Sequence, residues 1–175
     1  TTILKFDVMR KFACILITLL LSLNISFGQK VGYVNTKTIL AQIPEYVSAQ
    51  QTLEKLNKQY QDYIDGEGGK IQTAYQKYQN DRPRLSEGQK QSRENEIIQM
   101  ERKLQEKQKE YFGEEGIMAR KSQELISPIK ARVDMAIEKV AKERGYSILL
   151  DISAMQGVVY KDDTFDMSLE VIKNL

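Results

Sequence analysis

Histidine is absent from this 175-residue sequence, and its one cysteine, Cys14, sits in an apolar run near the N-terminus. Imidazole or thiolate metal sites, and Ser–His or Cys–His nucleophile pairs, therefore have no residues to use beyond that run. Carboxylates, amines and phenols are what remain. Glu114-Glu115 and Asp162-Asp163 are paired acids. Adjacent residues do not share a helix face, and a lone acidic pair in a loop makes a poor acid/base or cation site. Gly66-Glu67-Gly68-Gly69-Lys70 has glycines and a lysine, but lacks the preceding strand and the spacing of a phosphate-cradling loop. The residue types thus point away from an enzyme, and no metal or cofactor is expected.

The remaining chemistry is non-covalent. Tyr60, Tyr63, Tyr75, Tyr78, Tyr111 and Phe112 are aromatic groups set at helical spacing on two charged segments. Such side chains can contact an apolar partner or face water at modest cost, and equally can fill an interhelical seam. Between residues 70 and 93 stand six cations, Lys70, Lys77, Arg82, Arg84, Lys90 and Arg93, against Asp81 and Glu87. A basic surface of this kind suits acidic partners, anionic lipid headgroups or lipopolysaccharide; it also keeps a helical tip solvated. The formal net charge of the chain is only +2 and no nucleic-acid motif occurs, so nucleic acid is not an expected partner.

These residues need long helices to carry them. Charged residues make up 29% of the chain, Trp is absent, Pro occurs three times, and mean hydropathy is −0.47. That balance suits exposed helices better than a large globular core. Arg10-Lys11 after Met9, the apolar run from Phe12 to Leu23, and the small residues before Gln29 read as a cleavable export signal. Cleavage is expected after Gly28, translation is expected to begin at Met9, and the mature chain is expected in the periplasm. The apolar run falls short of the roughly 20 residues of a spanning helix.

From Glu45, apolar residues recur three or four apart through Leu53, Leu56, Tyr60, Tyr63 or Ile64, Ile71, Tyr75 and Tyr78. Pro44 suits the first turn of that helix, and Thr36 and Thr38 are candidate caps for a shorter one before it. Arg82-Pro83-Arg84-Leu85-Ser86-Glu87-Gly88 predicts a reversal, with Ser86 capping a return run over residues 89–144. Each leg has about 35 free residues and spans ~50 Å. Glycines at 66, 68 and 69, and again at 113 and 116, cost about 1 kcal/mol each and predict a kink or loosening in both legs. Gly145 predicts the end of the return run, after cations in its last turn.

Short strands flank the hairpin. Lys30–Asn35 precedes it; Tyr146–Ile152 and Val158–Lys161 are predicted to follow, with Asp166 capping a final helix over residues 167–175. Three short strands and two short helices bury too little to fold alone. Val31, Tyr33, Ile148, Leu150, Val158 and Tyr160 are therefore the expected contacts between copies of the chain. The fold class is mainly α with a small β base, a long antiparallel helical hairpin projecting from a short-stranded oligomerisation body. Residues 29–47 and 126–175 form that body, and 48–125 the arm.

The order of these pieces resembles the Skp/OmpH family of periplasmic chaperones. The likeness rests on Val31-Gly32-Tyr33-Val34-Asn35, Ile39-Leu40-Ala41-Gln42-Ile43-Pro44-Glu45-Tyr46 and the Gln/Lys/Glu-rich hairpin. It continues through Ala141-Lys142-Glu143-Arg144-Gly145-Tyr146 into Ile148-Leu149-Leu150-Asp151, and ends in the Asp166 helix. The resemblance implies a homotrimer with three helical tentacles around a cavity. It also implies ATP-independent holding of unfolded outer-membrane proteins. A structural or adaptor coiled coil of the envelope, with no client, is the alternative.

Overall fold

The computed structural model describes residues 29–175, so the predicted signal segment and the extension ahead of it lie outside the described residues. The predicted class holds: long helices over a two-stranded sheet. β1 (Val31–Val34) pairs in parallel with β2 (Ile148–Asp151), Val31 opposite Ile148 and Val34 opposite Asp151. Parallel neighbours need a long crossover between them, and here the whole hairpin is that crossover.

The other edge of β1 is also used. Tyr33 bridges Asp166, and the Met167 amide donates to the Tyr33 carbonyl at 2.9 Å. One expectation fails: Val158–Lys161 forms no strand, and β1 offers it no edge, since β2 and Asp166 flank β1. The segment lies exposed, outside any ladder.

α1 (Thr36–Ala41) is capped by Asn35, whose Oδ1 accepts the Thr38 amide at 3.0 Å; neither Thr36 nor Thr38 caps it. Thr36 instead ties the helix to the sheet, its hydroxyl donating to Asp151 at 2.6 Å and its amide at 3.2 Å. Burial pushes the Asp151 carboxyl up, but hydrogen bonds from Thr36 and Ser153 together outweigh it and hold it below the usual range. A depressed carboxylate stabilises above its unfolded pKa and loses that contribution as pH falls through its folded value.

α2 (Pro44–Asp81) begins with Pro44 in its first turn, where the missing N–H costs nothing. It runs unbroken through Gly66, Gly68 and Gly69, against the expected kink. A 3-10 turn, Arg82–Arg84, starts the reversal, and Leu85 is extended. Ser86 then caps α3 (Glu87–Phe112) in a reciprocal box: its amide donates to Gln89 Oε1 at 2.9 Å, and its Oγ accepts the Gln89 amide. The return run is not one helix. It breaks at Gly113–Gly116 and resumes as α4 (Ile117–Arg144), which accommodates Pro128 without ending. Gly145, at φ 67°, closes α4 in the left-handed conformation that glycine adopts without a Cβ penalty. α5 (Ser168–Ile172) is shorter than predicted, although Asp166 does accept the Ser168 amide at 2.8 Å.

One core cluster joins the strands to the roots of the legs. It comprises Val34, Ile39, Leu40, Ile43 and Ala49 from the first part of the chain, and Ile126, Ile129, Val133, Ala136, Val140 and Val171 from the last. Val34, Ile39, Val140 and Val171 are fully buried, each contributing about 1.5–3 kcal/mol over exposure. Beyond it the packing thins. Among described residues 50–120, the apolar side chains that are buried are Ile64, Tyr78 and Ile97.

Candidate functional site

The aromatic residues picked out by spacing do not act alike. Tyr60 and Tyr63 on α2 meet Tyr111 and Phe112 at the end of α3. Tyr60 stacks on Tyr111 with centroids 4.1 Å apart and planes at 11°; Tyr63 meets Tyr111 edge-on at 5.8 Å, and Phe112 meets Tyr60 edge-on at 6.4 Å. The ammonium of Lys107 lies 5.6 Å from the Tyr111 ring centre. Tyr63 and Phe112 remain exposed, so the cluster is both a clasp between the legs and an apolar patch open to a partner. It falls immediately before the Gly113 break.

Tyr75 is exposed and stands apart from that cluster, toward the tip. Tyr78 is 6% exposed and donates its hydroxyl to Glu94 across the seam. That hydrogen bond, burial and the Glu94 charge push the Tyr78 phenol up, with Arg82 opposing. Tyr78 is thus a seam residue.

The basic tip exists, but it is less charged than the count between residues 70 and 93 implies. Lys70 pairs with Glu67 at 2.6 Å, Lys90 with Glu87 at 2.6 Å and Arg93 with Glu96 at 3.0 Å. Glu67 and Glu96 lie outside that window and reach into it. Lys77, Arg82 and Arg84 are exposed and form no ion pair among the described residues. These three carry the positive field of the tip. Exposed pairs along the legs, such as Lys58–Asp62 and Arg102–Glu106, keep the hairpin solvated and stabilise it little.

At the base, Val31, Ile148, Leu150 and Val158 each expose much of their surface, and Tyr160 is 83% exposed. Tyr33 differs from these: its ring is 7% exposed and belongs to the chain's own packing. The expected base contacts left out Met155 and Phe165, which line an apolar concavity there, and Val159, which is 98% exposed. The apolar run Val158-Val159-Tyr160 was the signal for Val159; Met155 and Phe165 carry none. Val31, Leu150, Met155, Val158, Tyr160 and Phe165 line a shallow concavity of about 230 Å³.

The acidic pairs do not converge on a reaction centre. Asp162 accepts the amide and hydroxyl of Thr164, at 2.9 and 2.8 Å, which holds its carboxyl low. Asp163 takes Lys161 at 2.7 Å and the Tyr33 hydroxyl at 3.2 Å. Glu114 and Glu115 lie exposed in the α3–α4 break. Among the described residues no group of His, Cys, Asp and Glu is placed to hold a metal ion. No described helix is long and apolar enough to cross a membrane.

The described chain is thus a small strand base with an exposed apolar face, carrying a thinly packed helical hairpin. Residues 30–175 match the family described as "Outer membrane protein (OmpH-like)", and the chain belongs to that family. It is similar to the "Chaperone protein Skp" of Yersinia enterocolitica, 26% identical over 146 residues, covering 83% of this chain and 85% of that protein. It is also 28% identical over 149 residues to the "Chaperone protein Skp" of Vibrio cholerae, covering 83% of each. The crystal structure of an OmpH-like outer membrane chaperone from Caulobacter crescentus shares the fold, with a TM-score of 0.60 at 13% identity over 83% of each chain. The family is thus an OmpH/Skp-type chaperone family.

Proposed function

We propose that the chain is an ATP-independent holdase of the periplasm, exported by a signal cleaved after Gly28, that works as a homotrimer. Residues 29–47 and 126–175 form the assembling body; residues 48–125 form the arm that holds unfolded outer-membrane proteins. The observation that carries this reading is the pairing of an exposed apolar base face with an arm that buries little. An isolated monomer rarely leaves so much contiguous apolar surface in water. An arm with few buried contacts can adjust to clients of no fixed sequence. Tyr60, Tyr63, Tyr75, Tyr111 and Phe112 are the client contacts in this reading. Tyr78, taken into the seam, serves the arm itself. Lys77, Arg82 and Arg84 steer acidic clients or meet anionic lipid or lipopolysaccharide at the tip. Holding works kinetically, by covering strand segments that would otherwise pair edge to edge.

Light scattering of an unfolded outer-membrane barrel protein tests the reading. A molar excess of trimer is expected to suppress aggregation, and the Arg82→Ser/Arg84→Ser variant to bind clients with a flatter salt dependence. Undiminished aggregation with the wild-type chain would leave a structural coiled coil of the envelope. Salt dependence unchanged in the variant would reduce the tip to a solubility device.

A further inference from the structure

The Val158–Tyr160 segment is unpaired, yet it is not loose. Lys161, the next residue, donates to the Tyr33 hydroxyl at 3.1 Å and to Asp163 at 2.7 Å. The Tyr33 hydroxyl donates in turn to Asp163 at 3.2 Å. The Lys161 ammonium lies 5.0 Å from the Tyr33 ring centre, within cation–π range. Three polar groups thus close a triangle at the rim of the apolar concavity lined by Val31, Leu150, Met155, Val158 and Phe165. Tyr33 is anchored in β1, so the triangle fastens the segment to the sheet.

We propose that Lys161 is a positioning residue that arranges the apolar base face, before a second copy of the chain arrives, by latching residues 158–160 to Tyr33. The inference rests on the self-association in the proposed function and names the device that prepares it. Without the latch, Val158, Val159 and Tyr160 would have to be ordered during association, and that ordering would subtract from affinity. With it, the cost is met within the monomer. The pair itself is partly exposed and so weak for a salt bridge. Its effect grows because every copy in the assembly carries one. Both partners of Lys161 point the same way: they hold its ammonium charged, well above the usual lysine value, through Asp163 first and Tyr33 second.

Three variants of the full mature chain test this. Lys161→Met keeps the aliphatic stem and removes the cation; Tyr33→Phe removes only the hydroxyl; Lys161→Arg restores a cation with donors for both partners. Backbone order parameters by NMR read the segment, and sedimentation equilibrium reads association. In Lys161→Met, residues 158–162 are expected to fall below about 0.6, while Ile148–Asp151 stays near 0.85. Self-association is expected to weaken about tenfold, as several small latch contributions multiply. Tyr33→Phe should follow in the same direction, and Lys161→Arg should return both readouts toward wild type. A wild-type chain that remains monomeric overturns the assembly reading beneath the latch. An oligomeric wild type whose Lys161→Met variant associates equally well overturns the latch alone, whether or not the segment loosens.

Discussion

The two legs of the hairpin carry similar glycine clusters and answer them in opposite ways. α2 passes through Gly66, Gly68 and Gly69 without interruption, whereas the return leg stops at Gly113 and restarts after Gly116. Counting glycines predicts the reverse, since the unbroken cluster has three and the broken one two. The two clusters also differ in what their observed backbones would accept. A Cβ on Gly66 or Gly69 would meet nothing within 4 Å, and one on Gly68 would touch only the Leu104 side chain at 4.0 Å. A Cβ on Gly113 would come within 2.5 Å of the Lys109 carbonyl oxygen, and one on Gly116 within 2.8 Å of the Gly113 nitrogen. The first cluster tolerates glycine; the second requires it.

Substitution at the required positions should have the largest effect. Gly113→Ala or Gly116→Ala is expected to cost about 2–3 kcal/mol, because the obstacle is backbone and cannot swing aside. Chemical denaturation of either variant would measure it, and an unchanged midpoint would show that the break is not sterically fixed. The aromatic clasp beside the break comes next. Tyr111→Ala removes the ring stacked on Tyr60 and should cost about 1–2 kcal/mol, with a loss of near-ultraviolet circular dichroism from the remaining tyrosines. If the signal and midpoint stay put, the legs are not held together there. The smallest effect should be a gain. Gly66→Ala and Gly69→Ala each replace a helical glycine facing open space and should stabilise by about 0.5–1 kcal/mol. Destabilisation by either one would mean that α2 needs its glycines after all.

Local chemistry was legible from the residues. Pro44 opens α2, Ser86 caps α3, and Gly145 closes α4, each decided by neighbours within a few positions. The basic tip was legible in outline, although Glu67 and Glu96 trim it from outside the counted window. Features that depend on distant residues were not legible. Val158–Lys161 looks like a strand from its own apolar run, but pairing needs a partner from elsewhere in the chain, and β1 has no edge to give, with β2 and Asp166 on either side. Asn35 displaced the two threonines as the cap because Thr36 is committed to Asp151, 115 residues away. The Lys161–Tyr33 contact spans 128 positions, and no periodicity reports such a meeting. The aromatic residues stand out by type and spacing, but their division into clasp, seam and isolated ring required the register of the legs.

The parallel pairing of β1 with β2 also sets an order of events. β2 follows the hairpin in the chain, so a polypeptide whose C-terminal part is not yet made has β1 but nothing to pair it with. Closing so distant a contact from a disordered chain is slow and entropically costly. A hairpin that folds first brings the two ends within reach of each other. The apolar base face, built from both strands and the segment after them, is therefore the last surface the chain completes. In the assembly proposed above, a copy truncated before β2 would have the hairpin but not the complete apolar face, so only finished chains would join it.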